Sequence, residues 1–161
     1  MAAAKKQKDA ADIVAICRNK RAFHEYEIFD TLECGVVLTG TEVKSLREHA
    51  ASLEESYAKI EGGEVWLIGS DIPEYTMGNR LNHKPKRPRK LLLHRREIAK
   101  FAGKASQQGY TLVPLKLYFK AGRAKVEIAV ARGKKLYDKR EVKKKAEAAR
   151  EIRKAMKDRR R

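Results

Sequence analysis

The sequence predicts a mainly β protein, an antiparallel barrel of about six short strands with two short flanking helices and a long basic tail. Three observations carry that prediction. Apolar residues recur with period two at Val113, Leu115, Leu117 and Phe119, and again at Ala124, Val126, Ile128 and Val130, on either side of Ala121-Gly122. A second pair of strand-like runs flanks Gly62-Gly63, a dipeptide that suits a tight hairpin turn. Charge is also unevenly placed: 15 Lys/Arg against five Asp/Glu lie from Ala131 to Arg161, which is more than half of the net +17.

Taken in order, residues 1–16 are polar and Ala-rich without a strong period, and disorder is expected there. Residues 17–132 form the expected barrel. Its first strand covers Tyr26 to Asp30, with Tyr26 and Ile28 inward and Glu25 and Glu27 outward. Cys34 to Leu38 reads as the second strand. Thr41 to Arg47 has a helix signature, with Thr41 as cap, Glu42 in the first turn and Val43, Leu46 and Ala50 at helical spacing. Glu55 to Glu61 and Glu64 to Ser70 form the hairpin. From Glu74 to Lys90 there is no period, and Gly78, Asn79, Pro85 and Pro88 interrupt the chain; a long irregular stretch inside a small domain is usually functional or disordered. A second helix is expected from His94 to Gln107 on Ile98, Phe101, Ala102 and Ala105. Thr111 to Lys120 and Arg123 to Ala131 complete the strands, and closure into a barrel removes the exposed edges that many short strands would leave.

Residues 133–161 are the basic tail. Val142, Ala149, Ile152 and Met156 recur at helical spacing, but Lys145 interrupts the stripe. Burial of so thin a stripe does not offset ordering at roughly 1–2 kcal/mol per residue. The tail is expected to be disordered alone and helical on an anionic partner.

With 161 residues and 42% apolar content, a core needs no staple. Cys17 and Cys34 form no CxxC and are read as buried free thiols. No run approaches the ~20 apolar residues of a membrane span. A soluble cytoplasmic protein with a polyanionic partner is expected, and nucleic acid leads. His24, His49, His83 and His94 have no metal-ligand spacing with the cysteines, and no phosphate-binding or nucleophile motif occurs, so neither catalysis, cofactor nor metal is expected. Asp30 with Glu42-Val43-Lys44 has the outline of a metal-dependent nuclease set, but Glu42 falls in a helix rather than on an adjacent strand.

Basic residues interleaved with aromatics carry the binding prediction. Lys116, Tyr118 and Lys120 share one strand face, where lysines suit phosphates and the ring suits base stacking. A solvated sheet face reads equally well there. From Arg80 to Arg96 there are eight Lys/Arg and no acid. Arg87 and Arg89 offer planar forks, and Asn82 and His83 could bond base edges. In the tail, Tyr137 stands among Lys134, Lys135, Lys139 and Arg140.

Several segments then resemble one family over most of the chain, from about Ile16 to Ala155. They are Asn19-Lys20-Arg21-Ala22, His24-Glu25-Tyr26, Gly40-Thr41-Glu42-Val43-Lys44-Ser45-Leu46-Arg47, Arg89-Lys90-Leu91-Leu92-Leu93-His94, Leu115-Lys116-Leu117-Tyr118-Phe119-Lys120, Gly133-Lys134-Lys135 and Asp138-Lys139-Arg140. The sequence is identified by these as resembling the SsrA-binding proteins. The resemblance implies an oligonucleotide-binding (OB) type barrel that binds the tRNA-like domain of transfer-messenger RNA. It implies delivery of that RNA, with elongation factor Tu and GTP, to stalled ribosomes for trans-translation. It places Asn19, Glu33 and Leu92 among RNA-binding determinants, with Lys20, Arg21, Lys44, Arg47 and Lys90 in the matching segments beside them. It places Lys134, Lys135, Tyr137, Asp138, Lys139 and Arg140 on a tail that acts in the decoding centre and mRNA channel. A general structured-RNA chaperone or ribosome accessory protein is the alternative.

Overall fold

The computed structural model describes the backbone of residues 13–158 and the side chains of residues 13–135, 140–141 and 143–156. Its elements are β1 (Ile13–Arg18), α1 (Lys20–Glu25), β2 (Tyr26–Val36), α2 (Gly40–Arg47), β3 (Tyr57–Glu61), β4 (Glu64–Ile68), β5 (Arg89–Leu92), α3 (Arg95–Ala105), β6 (Tyr110–Lys120), β7 (Arg123–Gly133) and α4 (Leu136–Asp158). All strand pairs are antiparallel. β6, β3, β4, β5, β2 and β7 form a ring that closes through β6–β7, and β1 adds to the far half of β6. The barrel expected from the sequence is present. Its weakest seam is β3–β6, joined by the single pair Ala58↔Leu112.

Two bulges organise the long strands. Register shifts at Phe29 in β2 and at Leu115 in β6 reverse which face each strand gives the barrel interior. Leu32 and Cys34 of β2 and Leu112 and Leu117 of β6 therefore fill the interior, with Val126, Ile128 and Val130 of β7. Val113 and Leu115 turn to the opposite face and meet Ala22 of α1, Ala129 and Ala131, with Tyr26 and Ile28 packed against them. The sequence put Val113, Leu115, Leu117 and Phe119 on one face; the Leu115 bulge divides that set between two cores. The β7 series Ala124, Val126, Ile128, Val130 faces inward as expected.

Other boundaries differ for local reasons. β1 starts at Ile13, inside the segment expected to be disordered, and pairs there with Lys120; residues 1–12 lie outside the described residues. The two strands predicted across 26–38 are one continuous β2, because the bulge at Phe29 hides the period. β5 has four residues and α1 six with a single buried side chain, Ala22, so neither shows a period. The cap of α2 is Thr39 rather than Thr41: the Glu42 carboxylate reaches back to accept from the Thr39 backbone N–H at 2.8 Å. α3 starts at the His94 cap as expected, buries Phe101, and ties to β2 through Lys104 on Asp30 at 2.6 Å. Gly62 and Gly63 both take positive φ in the β3–β4 turn.

The tail, expected to be disordered alone, is here a continuous helix. Ile152 and Met156 on its stripe remain exposed, and among the described residues none of its side chains bonds or ion-pairs with the body. Among the described residues, no helix is long and apolar enough to cross a membrane.

Candidate nucleic-acid interface

The outer face of β2, β7 and β6 beyond the bulges is polar. Cross-strand register sets Glu33 opposite Glu127, Lys116 opposite Glu127, and Tyr118 opposite Lys125. Glu33 is the hub. It accepts from the Tyr118 hydroxyl at 2.6 Å and from Lys120 at 3.2 Å, and Lys125 stands 3.9 Å away. Partial burial works to raise the Glu33 carboxyl. The hydrogen bonds from Tyr118 and Lys120 and the charges of Lys120 and Lys125 outweigh it and hold the group below the ordinary carboxylate range. The same contact acts in reverse on Tyr118: burial first, then the Glu33 hydrogen bond and charge, push the phenol well above its usual value. Lys116 pairs with Glu127 at 3.1 Å.

This face does not offer a free stacking ring. Tyr118 is 8% exposed with its hydroxyl engaged, so the stacking expected of it does not fit its placement. What the face does offer is three lysines in partly exposed pairs. Such pairs are worth only about 0–1 kcal/mol in water, so an arriving phosphate can take a lysine over at little expense. Lys125 was missed by sequence reasoning. Its signal was the hairpin at Ala121-Gly122, which sets it directly across from Tyr118.

The other predicted residues divide into internal fasteners and outward groups. Asn19 is buried: it caps α1 by accepting from Ala22 N–H at 2.9 Å and donates to the Leu53 and Pro114 carbonyls at 3.0 and 3.2 Å. All of its amide positions serve the fold. Arg89 is fully buried, with its guanidinium on Glu42, Ser70 and the Pro85 and Arg87 carbonyls. Arg87 grips Glu42 through two bonds, at 2.7 and 2.5 Å. His83 is buried between the Thr41 hydroxyl and the Ile72 carbonyl, both at 2.9 Å. Asn82 bonds Tyr75 and the His83 backbone. Base contacts expected of Asn82, His83, Arg87 and Arg89 therefore do not fit where these side chains stand.

Glu42 is the centre of that network and is itself fully buried. Burial pushes its carboxyl up, but hydrogen bonds from Arg87 and the Thr39 backbone, with the charges of Arg89 and Arg87, bring it below the ordinary value. Asp30 lies on another element and is held by Lys104 and Lys100. The nuclease outline does not assemble: its two carboxylates are on separate elements, each occupied by its own cations.

Lys20, Lys44, Arg47 and Leu92 point outward, with Leu92 53% exposed at the end of β5. Arg21 is exposed and pairs with Glu25 and Glu55. Lys90 pairs with Glu64. At the root of the tail, Lys134 donates its backbone N–H to the Glu25 carbonyl at 2.9 Å and its ammonium to the Phe23 carbonyl at 3.1 Å. Lys135 and Arg140 are exposed. Tyr137, Asp138 and Lys139 fall in α4, and their side chains lie outside the described residues.

Position along β2 gives the arrangement its polarity. Tyr26, at one end, pairs with Gly133, where the tail departs. Gly35 and Val36, at the other end, pair with Leu92 and Leu91, and Arg87 reaches the Val37 carbonyl. At about 3.3 Å per residue an extended strand of this length spans roughly 30 Å at most.

Against known proteins, the family model described as SmpB protein matches residues 16–158. The SsrA-binding protein of Thermobifida fusca (strain YX) is 58% identical, over 99% of this chain and 100% of that one. The SsrA-binding protein of Carboxydothermus hydrogenoformans is 54% identical, over 89% of this chain and 97% of that one. A solved structure described as "tmRNA-SmpB: a journey to the center of the bacterial ribosome" contains a chain with 49% identity and a TM-score of 0.65, covering 74% of this chain and 85% of that one.

Proposed function

Because the chain belongs to the SmpB protein family, we propose that it is an RNA-binding adaptor that holds the tRNA-like domain of transfer-messenger RNA and brings it to stalled ribosomes for trans-translation. The single observation that carries the reading is that one family matches both the barrel and the basic helix, residues 16–158. The relatives are SsrA-binding proteins, and SsrA is transfer-messenger RNA.

The geometry supports a division of labour. The barrel meets a folded RNA through its outward cations and through Leu92, and lysines of the Glu33 and Glu127 pairs exchange carboxylate for phosphate. Asn19, Glu42, His83 and Arg89 act through others, by holding α1, the 74–88 loop and β5 in place. RNA helices are recognised largely by shape and phosphate position, so rigid placement of cations is what the barrel has to supply. The tail, with Lys134, Lys135, Tyr137, Asp138, Lys139 and Arg140, leaves from the opposite pole and enters the decoding centre and the vacant mRNA channel. Elongation factor Tu with GTP joins through the RNA, and the site of action is the cytoplasm.

Truncation after Gly133 tests this. Affinity for the tRNA-like domain should stay within a few fold, while peptide tagging on stalled ribosomes is lost. Equal loss of both removes the division. Competition with ordinary tRNA at physiological salt tests the RNA itself, and equal binding of both would make the protein a general RNA chaperone.

A further inference from the structure

The segment from Glu74 to Lys86 is irregular but not loose. The Asn82 side chain clamps it from within: its amide donates to the Tyr75 carbonyl at 2.8 Å, and its oxygen accepts from the Tyr75 and His83 backbone at 3.3 and 3.1 Å. Gly78 donates to the Tyr75 carbonyl at 2.8 Å. A Cβ at Gly78 would stand 2.5 Å from the Asn82 amide and 2.9 Å from the Tyr75 carbonyl, so only glycine fits the clamp. Below it, His83 bonds Thr41 and Ile72, Arg87 bonds Glu42, and Ile72 N–H donates to the Pro85 carbonyl. The polar residues that looked like ligand-reading groups are the fasteners of this finger.

The finger turns different residues outward. Met77 and Leu81 are 85% and 86% exposed, more than any other large apolar side chain described. Arg80, Lys84 and Lys86 stand exposed beside them, and Glu74 is the single acid of the segment. Isolated exposed apolar residues are ordinary. Two on one braced finger, among cations, suit a surface that offers an apolar plane flanked by negative charge. An unpaired nucleobase between phosphates has that character, and apolar side chains are known to wedge against bases.

Placement selects which RNA. The finger is anchored through His83 to Thr41 and Ile72 and through the Pro85 carbonyl to Ile72 and Arg89, and Arg87, the next residue after it, bonds the Val37 carbonyl at the Leu92 end of β2, the end away from the root of the tail. It therefore lies on the side of the RNA held by the barrel, away from the ribosome-directed helix. We propose that the 74–86 finger is a further contact to transfer-messenger RNA, with Met77 and Leu81 against an unpaired base and Arg80, Lys84 and Lys86 on the flanking phosphates. This rests on the function proposed above.

The test is equilibrium binding of the full-length protein to the tRNA-like domain across a salt series. M77S/L81S should weaken binding about tenfold with the salt slope unchanged, because no counterion-releasing contact is lost. R80A/K84A/K86A should weaken binding and flatten the slope by about two, at roughly 0.7 per phosphate. The fasteners are untouched, so melting temperatures should match the unaltered protein. K143A/K144A/K145A, on the tail helix, should bind within twofold, and an equal loss there would overturn the proposal by making the effect one of general charge. In the unaltered protein, amide exchange at 75–83 should slow when the RNA is added; unchanged exchange overturns the proposal without recourse to any variant. Unaltered RNA affinity in both finger variants overturns it, also when ribosome association alone falls. If the unaltered protein prefers the tRNA-like domain over ordinary tRNA, such a result sinks the finger alone; if it has no preference, the proposed function falls and the finger with it.

Discussion

Glu42 is the buried acid at the centre of the α2–loop–β5 network, and Glu42→Gln measures how much of the fold it holds. Four donors share its two oxygens. Arg87 Nε and Arg89 Nε lie on Oε1 at 2.7 and 2.9 Å, and the second Arg87 nitrogen and the Thr39 N–H lie on Oε2 at 2.5 and 2.8 Å. Glutamine keeps the shape but supplies one oxygen. Two donors lose their acceptor, the new amide N–H groups face guanidinium donors, and Arg89 stays buried without its counter-charge. Removing one member of a buried pair costs about 3–5 kcal/mol. For a chain of this size that is a fall in melting temperature of about 6–12 °C at the lower figure. The measurement is thermal and urea unfolding of both proteins at several pH values. The folded-state carboxyl lies below its ordinary value, so the contribution is fully present above the unfolded-state pKa of about 4.3 and is lost as pH falls through the lower folded value. The gap between wild type and Glu42→Gln should be constant near neutrality and close in acid. A gap under about 1 kcal/mol at pH 7, or one that widens on acidification, would refute the reasoning.

Three more expectations come from particular contacts. Ala121 sits at φ 48° in the β6–β7 turn, a conformation glycine takes without strain, so Ala121→Gly should stabilise by about 0.5–1 kcal/mol in urea unfolding; destabilisation would contradict the strain. Glu33→Gln removes the charge beside the Tyr118 phenol, so ultraviolet titration should show one tyrosine moving down toward the ordinary range, and an unchanged curve counts against the Glu33–Tyr118 contact. Burial pushes the Cys34 thiol up to about 12 and Cys17 to about 11, so at pH 8 both should react with aromatic disulfides at least ~100-fold more slowly than an ordinary thiol; fast labelling of the folded protein would show them reachable and ionised.

Local pattern and three-dimensional placement were legible to different degrees. The β6–β7 hairpin, the Gly62-Gly63 turn and α3 were readable because each repeats a period over several residues or needs a special backbone. β5 and α1 were not, since a four-residue strand and a one-contact helix are set by their neighbours. The bulges at Phe29 and Leu115 were invisible because one extra residue inverts the face code without altering composition. At the candidate site, sequence gave the basic segments but not the direction of individual side chains. Arg89 and Arg80 belong to the same single-signed run. One is fully buried on Glu42 and the other is exposed, and the difference arises from an acid 47 residues earlier in the chain. Asn82 and His83 looked like base readers for the same reason, since a side chain that can bond a base edge can equally bond a backbone.

The root of the tail bears on how the two halves cooperate. Only Lys134 and Lys135 separate the end of β7 from the start of α4. Lys134 is held by two bonds to α1, and α1 is in turn capped by Asn19, whose amide reaches the Leu53 and Pro114 carbonyls. The helix therefore starts from a braced point rather than from the end of a long flexible tether. A short, braced link raises the effective concentration of the second contact once the first has formed, and it limits the directions in which the helix can leave. Asn19, buried and unable to touch RNA from its place, sits on the chain of contacts that joins the RNA-holding barrel to the helix root. Loss of the Asn19 amide would therefore loosen the placement of the helix root relative to the barrel without removing any outward-facing group.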